Sequence, residues 1–304
     1  MQKTDTFTTD DGVDVHFICW LPEGRPRAVL QIAHGMAEYA ERYRAFAEYL
    51  CDRGIAVYAN DHRGHGKTAG SPDDLGYFAD RGGWIKVVTD MRSLTKIIRR
   101  DYPGEPVFLF GHSMGSFLAR TYMTLYDDIH GVILSGTGWQ DPLTVRAGRL
   151  LAWVHRHLYG AKSPSEFFDK MSFGAFNKAF ENEGEMAWLS RDREKVKAYR
   201  DDPYCGFVCT VGFFEDLFYG LQYISKKAHN RWIRITLPIL IVSGGEDPVG
   251  DKGKGPEKVA QMYRDLQLED VDLKIYGGAR HELTNEINRK EVFGDIHDWI
   301  TKHR

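Results

Sequence analysis

The chain predicts an α/β fold: a mostly parallel central sheet flanked by helices and interrupted by one long helical insertion. Three observations carry this. Short apolar or β-branched runs alternate with longer amphipathic stretches, the signature of βαβ units. One strand-to-helix junction holds a serine between two glycines, Gly111-His112-Ser113-Met114-Gly115. And roughly 95 residues, from Gly138 to Trp232, separate two apolar runs where a crossover needs about a dozen.

The first two apolar runs, 13–20 and 28–33, are joined by Pro22-Glu-Gly-Arg-Pro26, which predicts an antiparallel hairpin at one sheet edge. Further strands are expected at 55–60, 107–112, 131–135, 238–243 and 271–276. The periodic segments 41–53, 84–100, 114–126, 256–267 and 289–302 read as helices. The expected core is therefore 1–137 with 233–304, and 138–232 forms a helical cap. Eighteen Phe, Trp and Tyr residues fall in that cap, among them Trp139, Trp153, Phe167, Phe168, Phe213, Phe214, Phe218 and Tyr219. Most are expected to pack the cap onto the core, and a minority to line an apolar substrate pocket or touch lipid.

Composition narrows the function. With 304 residues, 42% of them hydrophobic, the chain can bury a large core, and a net charge of -3 with no Lys/Arg block argues against nucleic acid. No apolar run approaches the roughly 18 residues that span a bilayer, and Met1-Gln-Lys-Thr-Asp-Thr6 lacks the apolar stretch of a secretion signal, so the expected location is cytoplasmic. Cys19, Cys51, Cys205 and Cys209 show no disulfide-type spacing and read as reduced thiols.

The apolar run Val107–Phe110, the Gly-x-Ser-x-Gly turn and the helical stretch after it form a nucleophile elbow, with Ser113 presented clear of the sheet. A serine hydroxyl needs a base, and the base needs a carboxylate to fix its tautomer. After the strand-like Pro238–Ser243 comes Gly244-Gly-Glu-Asp247-Pro248, which supplies Asp247 as the acid, with Glu246 its neighbouring competitor. The run 271–276 leads into Gly277-Gly-Ala-Arg-His281, which supplies His281 as the base. His112 adjoins the nucleophile and cannot easily fold back onto it, while His155, His157, His297 and His303 lie on helix-like stretches with no carboxylate evident. An oxyanion hole needs two backbone donors: Met114, after the nucleophile, and Met36, after the His34-Gly35 turn that ends strand 28–33.

Two other motifs fail. Asp61-His-Arg-Gly-His-Gly66-Lys67-Thr68 carries an aspartate where a phosphate-binding loop has its first glycine, and an aspartate repels phosphate; Asp61 and Arg63 are expected to brace this loop instead. His62 and His65 could hold a metal, but the serine chemistry needs none, and His281-Glu-Leu-Thr-Asn285 lacks the second histidine of a zinc-protease helix.

Taken together, His34-Gly-Met-Ala-Glu38, Asp61-His-Arg-Gly-His-Gly66, Gly111-His-Ser-Met-Gly115, Gly245-Glu-Asp-Pro-Val-Gly250 and Arg280-His-Glu-Leu283 resemble the α/β-hydrolase superfamily, and within it the serine hydrolases similar to monoacylglycerol lipases and lysophospholipases. The resemblance runs nearly end to end and is closest in these loops. It implies a serine ester hydrolase acting on single-acyl-chain lipids, foremost monoacylglycerol, through an acyl-enzyme intermediate and without a cofactor. Lysophospholipids, short or bulky esters and amides are the alternatives, as is a ligand sensor on the same fold. A phosphate headgroup would call for a cationic cluster, for which Arg146 and Arg149 are the nearest candidates. Transient contact of the cap with a lipid surface is a further expectation.

Overall fold

The computed structural model describes residues 1–304. Eight strands form one sheet: β1 (Gln2–Thr8), β2 (Asp14–Trp20), β3 (Ala28–Ala33), β4 (Ile55–Asn60), β5 (Val107–His112), β6 (Gly131–Ser135), β7 (Ile239–Gly244) and β8 (Val271–Tyr276). Their order is β1-β2-β4-β3-β5-β6-β7-β8, and only the β1–β2 and β2–β4 pairs are antiparallel. Strands β3 to β7 are buried along their whole length, which is why they read as continuous apolar runs without alternation.

The edge differs from the expected hairpin. β2 pairs not with β3 but with β1 and β4, while β3 lies between β4 and β5 in the parallel body of the sheet. The proline-bounded 21–27 segment is a connection that passes over β4. The hairpin is β1–β2, turned at Thr9–Val13. No apolar run marks β1 because it is an outermost strand of mostly exposed polar residues, QKTDTFT.

Helices cover both faces: α1 (Arg44–Cys51), α2 (Gly83–Asp101), α3 (Met114–Leu125), α9 (Lys254–Asp265) and α10 (Arg289–Lys302) match the expected segments within a few residues. The expected helix 41–53 begins as a 3-10 turn at Ala40–Tyr43. On one face a cluster of 26 buried residues holds α1 and α10. On the other, a cluster of 43 takes in α2, α3, α9 and much of the insertion.

Between β6 and β7 the chain forms α4 (Pro142–Tyr159), α5 (Glu166–Phe173), α6 (Arg193–Asp201), α7 (Val211–Ile224) and α8 (Lys227–Asn230). Side-chain caps start four of these: Asp141, Ser165, Asp192 and Thr210 each accept a backbone N–H of the first turn. α7 is the anchor. Phe213, Phe214 and Phe218 are buried, Gly220 lets the helix close onto the Trp84 ring, and Gly148 lets α4 close onto Phe218. The insertion's aromatics thus divide: Phe168 joins these three in the core, Phe173, Trp188, Tyr199 and Phe207 line a cavity, and Trp153 and Phe167 are half exposed.

One buried carboxylate fastens α7 to α2. Asp216 receives the backbone N–H groups of Gly83 and Trp84, and burial, only partly offset by those bonds, pushes its pKa up to about 7. In the unfolded chain an aspartate titrates near about 3.9. The folded state therefore holds a proton the unfolded state has released, and stability falls as pH rises through that window. Asp216→Asn, which keeps an acceptor, is expected to stabilise the protein at pH 8 by about 2 kcal/mol and to have little effect near pH 4. Thermal unfolding at both pH values checks this; an equal change at the two would sink it.

A candidate active site at the carboxyl ends of the strands

Ser113 stands at the junction of β5 and α3 with φ 52° and ψ −120°, a strained conformation for a residue with a side chain. Its surroundings enforce it. A Cβ at Gly111 would run into the Gly115 carbonyl and one at Gly115 into the Ala33 carbonyl, so both flanking positions require glycine. The Ser113 N–H donates to the Ser135 carbonyl at 2.9 Å, fixing the turn to β6.

Asp247 follows β7 and His281 follows β8, and both are buried. His281 Nδ1 lies 3.0 Å from Asp247 Oδ1 and 3.0 Å from Oδ2. An ionised carboxylate can only accept, so Nδ1 carries the proton and the neutral ring's Nε2 is left as a lone pair. Burial pulls the His281 pKa down, but the charge and hydrogen bonds of Asp247 outweigh it, with Glu282 and Glu38 adding to them, and the net shift is upward. Glu246 lies on the outside, paired with Lys252 at 2.9 Å. His112 is buried with its ring 4.8 Å from that of His281; burial and His281 push its pKa down to about 4.

Ser113, His281 and Met36 line one cavity of about 290 Å³, together with Trp188, Phe173 and Phe207. Ser113 and His281 face the same space without a hydrogen bond between them. The backbone N–H groups of Met36 and Met114 have no partner within the protein, though their neighbours do: Gly35 donates to Glu38 at 2.6 Å and Ser116 to the Ser113 carbonyl at 2.8 Å.

A charged clasp joins the two loops that sequence reading left separate. Arg42 donates to Glu38 at 2.6 Å and, in a two-pronged pair, to both oxygens of Glu282 at 2.7 Å. Glu38 also accepts from Tyr43 Oη at 2.8 Å, and Arg42 holds the Glu38 carboxyl below its usual range against the opposing effect of burial. One guanidinium thus ties the loop after β3 to the loop after β8. The i,i+4 spacing of Glu38 and Arg42 is a local signal; Glu282, 240 residues from Arg42, has none.

The insertion is fastened to the same loop. Glu282 N–H donates to the Leu189 carbonyl at 2.8 Å, Arg280 reaches Ala187 and Glu183, and Arg191 pairs with Glu286 at 2.9 Å. Arg146 and Arg149 do not line the cavity; Arg149 bonds Gln222 of α7. As expected, Asp61 and Arg63 brace their loop: Asp61 accepts from Ala40, Lys67 and His16, and Arg63 pairs with Asp90 and Asp11. His62 and His65 pack on His34, and burial pushes all three pKa values down. The one trio close enough to share an ion, Asp270, Asp272 and His303, lies at the opposite end of the sheet, where His303 and Trp299 already bond the two carboxylates.

Residues 24–288 match the family described as serine aminopeptidase, S33. The chain is 30% identical to a monoacylglycerol lipase of Mycolicibacterium smegmatis over 98% of its own length and 96% of that protein's, and 28% identical to human monoglyceride lipase over 93% and 85%. A thermostable carboxyl esterase of Bacillus coagulans, solved with glycerol, superposes with a TM-score of 0.92 at 27% identity over 99% of this chain and 98% of that one. On these grounds and on its sheet topology, the chain is an α/β-hydrolase belonging to the serine aminopeptidase S33 family.

Proposed function

We propose that this chain is a serine ester hydrolase that cleaves monoacylglycerol to glycerol and a fatty acid. Ser113 Oγ attacks the ester carbonyl and passes its proton to His281 Nε2, whose imidazolium form Asp247 stabilises. The tetrahedral oxyanion lies against the N–H groups of Met36 and Met114. Collapse returns the proton from His281 to the glycerol oxygen, which leaves. Water activated at the same nitrogen then attacks the acyl-Ser113 ester and frees the fatty acid. The observation that carries this reading is the His281–Asp247 pair facing the same cavity as Ser113. An unliganded site often lacks the nucleophile–base hydrogen bond until substrate is seated.

The glycerol ester is supported by the named activity of relatives matched along nearly their whole length. A lysophospholipid is less well served, because Arg146 and Arg149 stand outside the cavity. Rates on 1-octanoylglycerol, octanoyl lysophosphatidylcholine and an amino-acid anilide test the order; preference for either of the latter two would displace the glyceride reading.

Residues 138–232 act as a cap over a core of 1–137 and 233–304. α4 packs inward through Val145, Gly148 and Ala152 yet also presents Leu143 (73% exposed), Leu150 (64%), Trp153 and Leu158 (69%) outward, flanked by Arg146. Such a second apolar face with adjacent cations suits a lipid surface. Replacing Leu143, Leu150 and Leu158 by serine is expected to reduce co-sedimentation with liposomes by about tenfold or more while hydrolysis of a soluble ester persists. Unchanged sedimentation would remove α4 as the contact.

A further inference from the structure

The cavity is lined by more negative than positive charge. Glu38 and Glu282 both face it and share the single guanidinium of Arg42, so one of the two is left unbalanced. Asp169, on α5, adds a third carboxylate. It is half buried, in no ion pair, and burial followed by the nearby Glu166 raises its pKa. The only lining cation, Lys170, is largely exposed and paired with Glu166 at 3.0 Å.

Resting on the ester-hydrolase reading above, we infer that Asp169 makes the cavity a charge filter: it admits neutral single-chain esters, rejects acyl chains or headgroups that carry an anion, and weakens retention of the carboxylate product. The Asp169 carboxylate has no hydrogen-bond or ion-pair partner in the fold, and burial works against its charge. A substrate anion entering the cavity meets it, Glu38 and Glu282, and at an effective dielectric constant of about 20 a unit charge about 10 Å away disfavours binding by about tenfold. The fatty acid released by hydrolysis is itself an anion and meets the same field. The uncharged glycerol ester does not, so substrate and product are sorted by charge although they share one acyl chain.

The test compares p-nitrophenyl octanoate with the p-nitrophenyl monoester of suberic acid, which has the same chain length and an added terminal carboxylate, and measures inhibition by octanoate. For the wild type, kcat/KM is expected to favour the neutral ester by more than the small difference in chain chemistry gives, with the ratio shrinking as salt rises. Asp169→Asn is expected to narrow the ratio by about threefold to tenfold and to tighten octanoate inhibition by a similar factor. Because the readout is a ratio, a general loss of activity cancels. Asp169→Glu, which keeps the charge, serves if the asparagine variant folds poorly and is expected to retain discrimination. A ratio and an inhibition constant unchanged in Asp169→Asn would overturn the filter, whereas hydrolysis of the neutral ester that survives Ser113→Ala would overturn the catalytic reading instead.

Discussion

Ser113→Ala is expected to lower kcat by about a millionfold while leaving the fold intact. On the proposed mechanism the loss is large because the hydroxyl is the atom that bonds the substrate, and no cysteine replaces it: Cys205 and Cys209 do not line the cavity, and burial pushes both thiol pKa values up. The fold is spared because the side chain caps no helix and carries no hydrogen bond, the turn being held by backbone bonds and by the glycines on either side. Alanine still occupies the left-handed conformation at a modest cost. Burst and steady-state hydrolysis of p-nitrophenyl octanoate, with thermal unfolding as the control, measures both halves. Activity within tenfold of wild type would remove Ser113 as nucleophile.

Asp247→Asn is expected to cost about 10⁴-fold in kcat, with little change in KM. An asparagine amide can donate to Nδ1, which would move the ring proton to Nε2, the nitrogen that must accept from Ser113. The substitution also changes the pH profile in a defined direction. As the proposed base, His281 must be neutral to accept a proton, so activity is expected to fall as pH drops through its pKa. With Asp247 present that value is raised from the ordinary histidine value, because the carboxylate outweighs burial. Without the charge, burial dominates and the acid limb shifts to lower pH. His112 cannot mimic this limb, since its pKa of about 4 keeps it neutral throughout. An acid limb unmoved by Asp247→Asn would mean that the titrating group is not His281.

How much of this was legible in the chain follows from the range of the interactions involved. The elbow could be read because its requirements are local: two glycines are needed where Cβ atoms would strike the backbone one turn or one strand away. The buried strands could be read because a parallel strand covered on both faces must be apolar throughout. Asp247 and His281 could be placed because active-site loops gather at the carboxyl ends of such strands. Pairing partners were less accessible. β1, polar and on the rim, has no apolar pattern to betray it, and whether β2 turns back onto β3 or onto β4 depends on neighbours distant in sequence.

The sequence by itself therefore determined the α/β architecture, the strand ends that carry Ser113, Asp247 and His281 as proposed nucleophile, acid and base, and the presence of a long insertion, all of which rest on short-range periodicity and turn chemistry. Only the tertiary structure decided what fills the space between them. It brought Arg42 to Glu282 across 240 residues, clamped 187–191 onto the loop carrying His281, kept Arg146 and Arg149 away from the cavity, and turned Asp169 toward it. Charge is long-ranged in space but leaves no period along the chain. Which carboxylates find a cation and which stand alone is thus settled by packing, and in this cavity that determines the charge a substrate meets.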